Sequence, residues 1–138
     1  MFTFGREKEI SHAVKFVGNA EKAKLLVAVI TAVHDILEGK KSTEEVREIF
    51  INALIEGKAG VWESSGSWLI KLGHEYDELN LIWDELAVHP SATVRFKVAC
   101  HVFDLENKQA NRIYDVLKND NSKKVREHVI ANWKYYKN

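Results

Sequence analysis

Apolar side chains recur at intervals of three and four residues along nearly the whole chain, and no stretch sustains a period of two between turn residues. The first pattern lays an apolar stripe along a helix, whereas strict alternation would mark a half-buried strand. The periodicity predicts about eight helices, near residues 6–17, 20–38, 43–57, 60–72, 75–87, 91–104, 107–118 and 122–136. One proline, Pro90, leaves them free to run, and its missing amide hydrogen suits a helix start. Gly39 follows the second helix and can take the left-handed conformation that ends it. Ser42 with Glu45 fits a capping box for the third. Gly57 and Gly60, then Gly73, mark the next turns, and His89-Pro90-Ser91 and Asp120-Asn121-Ser122 open the sixth and eighth helices. The expected fold is all-α with short connections.

The last two helix pairs repeat each other. Setting residues 81–103 over 112–134 matches Ile82 with Ile113, Trp83 with Tyr114, Asp84 with Asp115 and Leu86 with Leu117. The match continues with Ser91 on Ser122, Val94 on Val125, Arg95 on Arg126 and Val98 on Val129. A fainter copy precedes them, in which Phe50, Leu54, Val61 and Leu69 stand 32 or 33 residues before Ile82, Leu86, Val94 and Val102. A period of 31 to 33 residues built from helix pairs predicts a short α-solenoid of antiparallel pairs, each covering its neighbour's apolar face. Leu86, Val94, Val98, Leu117, Val125 and Val129 are its expected buried positions.

Asp120, Val125-Arg126, Val129 and Ile130 resemble the second helix of a HEAT repeat, and His89, Val94-Arg95, Val98 and Ala99 resemble it with His in the place of Asp. The resemblance implies one HEAT-like domain over 1–138. Within it, 1–40 is an irregular helical cap, 43–72 a degenerate repeat, and 75–104 and 107–136 the well-formed repeats. It also implies that Arg95, Asp120 and Arg126 serve as a structural hydrogen-bonded ladder between successive units rather than as an anion site. Trp62 takes the arginine's place in the faint unit, so the ladder would stop there. In such a stack the second helices line a concave surface. The motif specifies a fold and hardly a function.

Twenty basic residues balance twenty acidic ones, which disfavours a general nucleic-acid binder. The balance is local, however: residues 58–90 carry two basic and six acidic side chains, and residues 91–138 carry ten and five. Cys100 is the only cysteine, so no intrachain disulfide can form and a reducing compartment suits the chain. MFTFGREKEI lacks an apolar run of signal-peptide length. The longest apolar run, Leu25 to Ala32, is interrupted by Thr31 and is too short for a bilayer core of ~30 Å. A cytoplasmic protein outside the membrane is expected. The six histidines never fall at a metal-ligand spacing on one helix, although His101 and His128 would lie on adjacent stacked helices. Cys100 is expected to pack as a small apolar residue. No Gly-rich phosphate loop or nucleophile elbow occurs, and Ser64 and Ser65 beside Glu63 lack a strand-turn-helix context. No catalytic residue, metal or cofactor is therefore expected.

With Val94, Val98, Ala99 and Val102 facing inward, Phe96, Lys97 and His101 should point elsewhere. Their equivalents are Glu63, Ser64 and Trp68 one unit earlier and Glu127, His128 and Asn132 one unit later. Such a row makes either a mixed aromatic and charged groove suited to protein recognition or, more plainly, a set of gap-fillers. The acidic segment 62–85 interleaves six carboxylates with Trp62, Trp68, Tyr76 and Trp83. It is either the solvated face of helices or a patch that attracts a basic protein. The candidate partner-binding residues are Trp62, Glu63, Trp68, Tyr76, Asp77, Phe96 and Glu127. In size, fold and charge the chain resembles small helical-repeat immunity proteins of bacterial polymorphic toxin and contact-dependent inhibition systems. That resemblance implies a non-catalytic binder that neutralises a cognate toxin domain, often a basic nuclease. The alternatives are a relative of the HEAT-like alkyl-purine DNA glycosylases, favoured by the basic segment 91–138 and opposed by Glu63 and Glu127, or a generic scaffold.

Overall fold

The computed structural model describes residues 4–137, with the backbone alone for Lys137. These residues form α1 (Arg6–Val17), α2 (Lys24–Leu37), α3 (Thr43–Glu56), α4 (Val61–Gly73), α5 (Leu81–Ala87), α6 (Ala92–His101), α7 (Asn107–Leu117) and α8 (Lys123–Lys137). Single 3-10 turns lie at Asp77–Asn80 and Val102–Asp104, and no strand occurs among the described residues. The fold is all-α, as expected. The chain divides into two compact units, one ending at Asn80 and the other beginning at Leu81.

The first unit is built around α2. Its sequence, KLLVAVITAVHDIL, is apolar nearly all round, and Leu26, Val29, Ile30, Ala32, Val33, Asp35 and Ile36 are buried. Such a helix needs cover on every side, which α1, α3 and α4 supply. From α3 come Val46, Phe50, Ala53 and Leu54, and from α4 Val61, Leu69 and Leu72. Polar contacts fasten α1 to the far end of α2. Arg6 Nη2 donates to Asp35 Oδ1 at 2.7 Å and to Glu38 Oε2 at 3.3 Å, and Glu9 Oε1 lies 2.6 Å from His34 Nε2. Burial alone would raise the Asp35 pKa, but Lys41 and Arg6 outweigh it and hold the carboxyl below its ordinary value.

Helix boundaries follow local chemistry. Ser42 accepts the Glu45 amide at 3.2 Å while Glu45 Oε1 accepts the Ser42 amide at 3.2 Å, the expected capping box. Ser42→Ala should therefore cost about 1 kcal/mol, read as a lower denaturant midpoint. An unchanged midpoint would mean that the box holds nothing. Gly39 has φ 77°, the left-handed conformation expected after α2. Three expectations need correction. The second helix begins at Lys24 rather than residue 20, because the Asn19 carboxamide accepts the Lys22 amide at 2.8 Å and closes a turn there. The helix expected over 75–87 is broken into a 3-10 turn and α5. Asn80 Nδ2 donates to the Gly73 carbonyl at 3.1 Å, an alternative to the helical ladder. A Cβ on Gly73 would stand only 2.0 Å from Asn80 Oδ1, so the segment folds back closely on the end of α4. The helix expected over 91–104 stops at His101 and tightens into the second 3-10 turn.

The second unit buries Ile82, Trp83 and Leu86 of α5, Val94, Val98 and Ala99 of α6, Ala110, Ile113 and Leu117 of α7, and Val125 and Val129 of α8. All six positions expected inside are there. Lys97 and His101 were expected to face away from the core, yet each is only 6% exposed. The reason is that α6 packs against α5, α7 and α8, which leaves a short helix almost no free side. The His101 ring lies 4.9 Å from that of Trp83, and its Nδ1 is 2.9 Å from the Lys97 carbonyl oxygen.

Candidate functional site

The repeated Val-Arg stretches share a hydrogen-bonding pattern. Arg95 Nη1 donates to the carbonyl of His89 at 2.8 Å, and Arg126 Nη1 donates to the carbonyl of Asp120 at 2.7 Å, six residues back in both cases. The Ser91 amide donates to His89 Nδ1 at 3.0 Å, and the Ser122 amide to Asp120 Oδ1 at 2.8 Å. Histidine thus replaces aspartate as the acceptor in the first copy. Arg95 then grips Asp120 with both edges of its fork, at 2.8 and 3.1 Å. The two side chains are 13% and 6% exposed. Burial alone would raise the Asp120 pKa, but the bonds from Arg95 and the Ser122 amide, with the charges of Arg95 and Arg126, hold it below the ordinary value. Arg95 thus joins the 75–104 segment to Asp120 of the 107–136 segment, and each arginine also holds a carbonyl of its own segment.

The seven partner-binding candidates fall on both units. Trp62 and Glu63 stand near the start of α4, the first half-buried and the second exposed. Glu63 Oε1 accepts the Gly60 amide at 2.6 Å and so caps α4. Trp68 is half-buried, packs against the cluster of Ala13, Leu26, Ile30 and Val61, and carries Lys71 Nζ 5.1 Å from its ring centre. The Tyr76 hydroxyl donates to the Ile36 carbonyl at 3.4 Å, and Asp77 is exposed at the start of the 3-10 turn. In the second unit Phe96 is half-buried, with the His128 ring edge-on at 5.0 Å and Lys124 Nζ 4.4 Å above it. Burial and the Lys124 charge push the His128 pKa down. Glu127 is exposed on α8.

The carboxylates of the acidic segment are not equivalent. Asp84 accepts two bonds from Arg112, at 2.8 and 3.0 Å, and one from Gln109 at 3.0 Å. Burial would raise its pKa, and these donors instead hold it below the ordinary value. Glu75, Asp77 and Glu78 are exposed on the connection after α4.

Two further features involve mostly other residues. In the second unit Tyr114 stacks on Trp133 at 4.1 Å and 5°, with Phe103 and Tyr136 against the same indole. In the first unit a hollow of about 630 Å3 opens among α1, α2 and α4, edged by Phe4, Phe16 and Trp68. Of its edge residues the sequence had singled out Trp68 alone; Phe16, on a short polar helix without a repeat partner, is a signal that could have pointed to it. Among the described residues no three His, Cys, Asp or Glu side chains gather in a metal-sized group. None of the described helices is long and apolar enough to cross a membrane. No family model matches the chain, and no curated protein or solved structure is similar to it.

Proposed function

We propose that this chain is a non-catalytic protein-binding module, an immunity protein that binds and neutralises a cognate bacterial toxin domain, with a basic nuclease the class its charge favours. The observation that carries the reading is the division of labour among carboxylates. Asp35, Glu38, Asp84 and Asp120 are spent on internal ion pairs. Glu75, Asp77 and Glu78 are exposed, form no ion pair among the described residues, and flank the anchored ring of Tyr76. Such a patch steers a basic partner and excludes acidic ones. Trp62 and Trp68 are the candidate anchors on the same unit, and Phe96 and Glu127 are candidates on the other, each taken by itself. Aromatic anchors act mainly on dissociation.

Glu63 also caps α4, so the test reverses Glu75, Asp77 and Glu78 to Lys instead. The partner is captured from the source cells, and its association and inhibition are measured at two ionic strengths. The triple variant should associate about tenfold more slowly at low salt, and the difference should shrink as salt screens the charges. Unchanged association at low salt would remove the patch from the interface. The runner-up, a DNA-handling protein related to alkyl-purine glycosylases, rests on the second unit's ten basic against seven acidic residues over 81–138. A salt-sensitive complex with duplex DNA would favour it.

A further inference from the structure

The hollow in the first unit has a polarity gradient. Helices α1 and α4 both pack on α2. They meet where α1 ends and α4 begins: a Cβ built on Gly60 would lie 3.5 Å from the Phe16 ring and 4.0 Å from Val17. This end of the hollow is apolar, floored by Ala13, Leu26 and Ile30. Toward the opposite ends of the same helices the lining becomes cationic, with Lys8 on α1 and Lys71 on α4, both exposed. Among the described lining residues the one carboxylate, Glu9, lies 2.6 Å from His34 Nε2. Glu9 is thus engaged by the ring behind it, while Lys8 makes no ion pair among the described residues. Phe4 and Phe16 stand 70% and 60% exposed at the edge, apolar surface that gains free energy from any cover.

We propose that this hollow binds a small amphipathic anion, an alkyl carboxylate, with its chain between α1 and α4 and its carboxylate at Lys8 and Lys71. The volume, about 630 Å3, lies within the ~300–1,000 Å3 of small-molecule sites. The gradient orients the ligand: the chain displaces water from Ala13, Leu26, Ile30 and Trp68, and the head group keeps both hydration and two charge-assisted donors. A cationic amphiphile would meet two like charges instead. The site is separate from the acidic patch and shares only Trp68 with the protein interface proposed above.

The test is calorimetric titration of the full chain with dodecanoate, kept below its micelle concentration, and with the methyl ester of the same chain length. Dodecanoate should bind saturably, and the ester about tenfold more weakly, the difference expected for losing charge-assisted hydrogen bonds. Lys8→Gln with Lys71→Gln should weaken dodecanoate by at least about tenfold while the chain stays folded by far-ultraviolet dichroism, because both side chains are exposed and Lys71 gives up only its contact with the Trp68 ring. Absence of saturable binding, equal binding of acid and ester, or an unchanged affinity in the double variant would each overturn the proposal. Sedimentation equilibrium accompanies the titration. A dimer that dissociates as dodecanoate is added would make a second copy of the chain the natural occupant and would equally overturn it.

Discussion

Trp83→Ala will cost about 3–5 kcal/mol of stability, the range for emptying an aromatic site in a closed core. Trp83 is fully buried and the largest such side chain among the described residues. Against a typical total of ~5–15 kcal/mol, the loss threatens the second unit as a whole. Its indole also carries a cost. Nε1–H is buried with no hydrogen-bond partner among the described residues, and an unsatisfied buried donor opposes folding. Trp83→Phe removes that donor and keeps an aromatic ring against His101, so it should lose well under half of what the alanine variant loses. Denaturant titrations of both, followed by far-ultraviolet dichroism, decide the point. Equal losses for phenylalanine and alanine would show that ring packing is not what Trp83 contributes.

Asp120→Ala will cost about 2–3 kcal/mol, the scale for stripping the charged partner from a partly buried, multiply bonded ion pair. It leaves the Arg95 fork without its carboxylate and the Ser122 amide without its acceptor. The pH dependence has a definite sign. The folded pKa lies below the ordinary value of 3.8, so the unfolded chain takes up the proton first. The stabilisation is complete above the unfolded value and is lost as pH falls through the lowered folded one. Stability measured from neutral pH down into that acid range should fall more steeply for the natural protein than for Asp120→Asn, which has no proton to bind. Parallel acid limbs would mean that the carboxylate carries no net stabilisation. Arg126→Ala, which frees one carbonyl and breaks no ion pair, should cost less than Asp120→Ala.

Fold class and the core of the second unit were legible because an apolar stripe and its 31-residue echo are properties of the linear pattern. Val94, Val98, Val125 and Val129 could be placed inside from spacing alone. What failed depends on neighbours that spacing does not reveal. Lys97 and His101 looked outward on a helix with one buried face, and α6 proved to have three packed sides. Asp84 read like its acidic neighbours until Arg112, 28 residues away, claimed it. The hollow is a gap between α1 and α4, set by how Arg6 and Glu9 fasten α1 to Asp35 and His34. No periodicity encodes a gap. The break at Asp77–Asn80 was hidden for a similar reason, because it turns on one carboxamide reaching back to Gly73.

That last contact also constrains how the chain can drift. At position 73 even a methyl group would stand 2.0 Å from Asn80 Oδ1, so a substitution there must displace the Asn80 carboxamide and break its bond to the Gly73 carbonyl. The reverse order is open: a shorter residue at position 80 gives up one hydrogen bond to the Gly73 carbonyl and clears the space. Lineages descending from this protein should therefore change position 80 before position 73. An alignment of them would show the two sites covarying, with a side chain at 73 rare beside asparagine at 80.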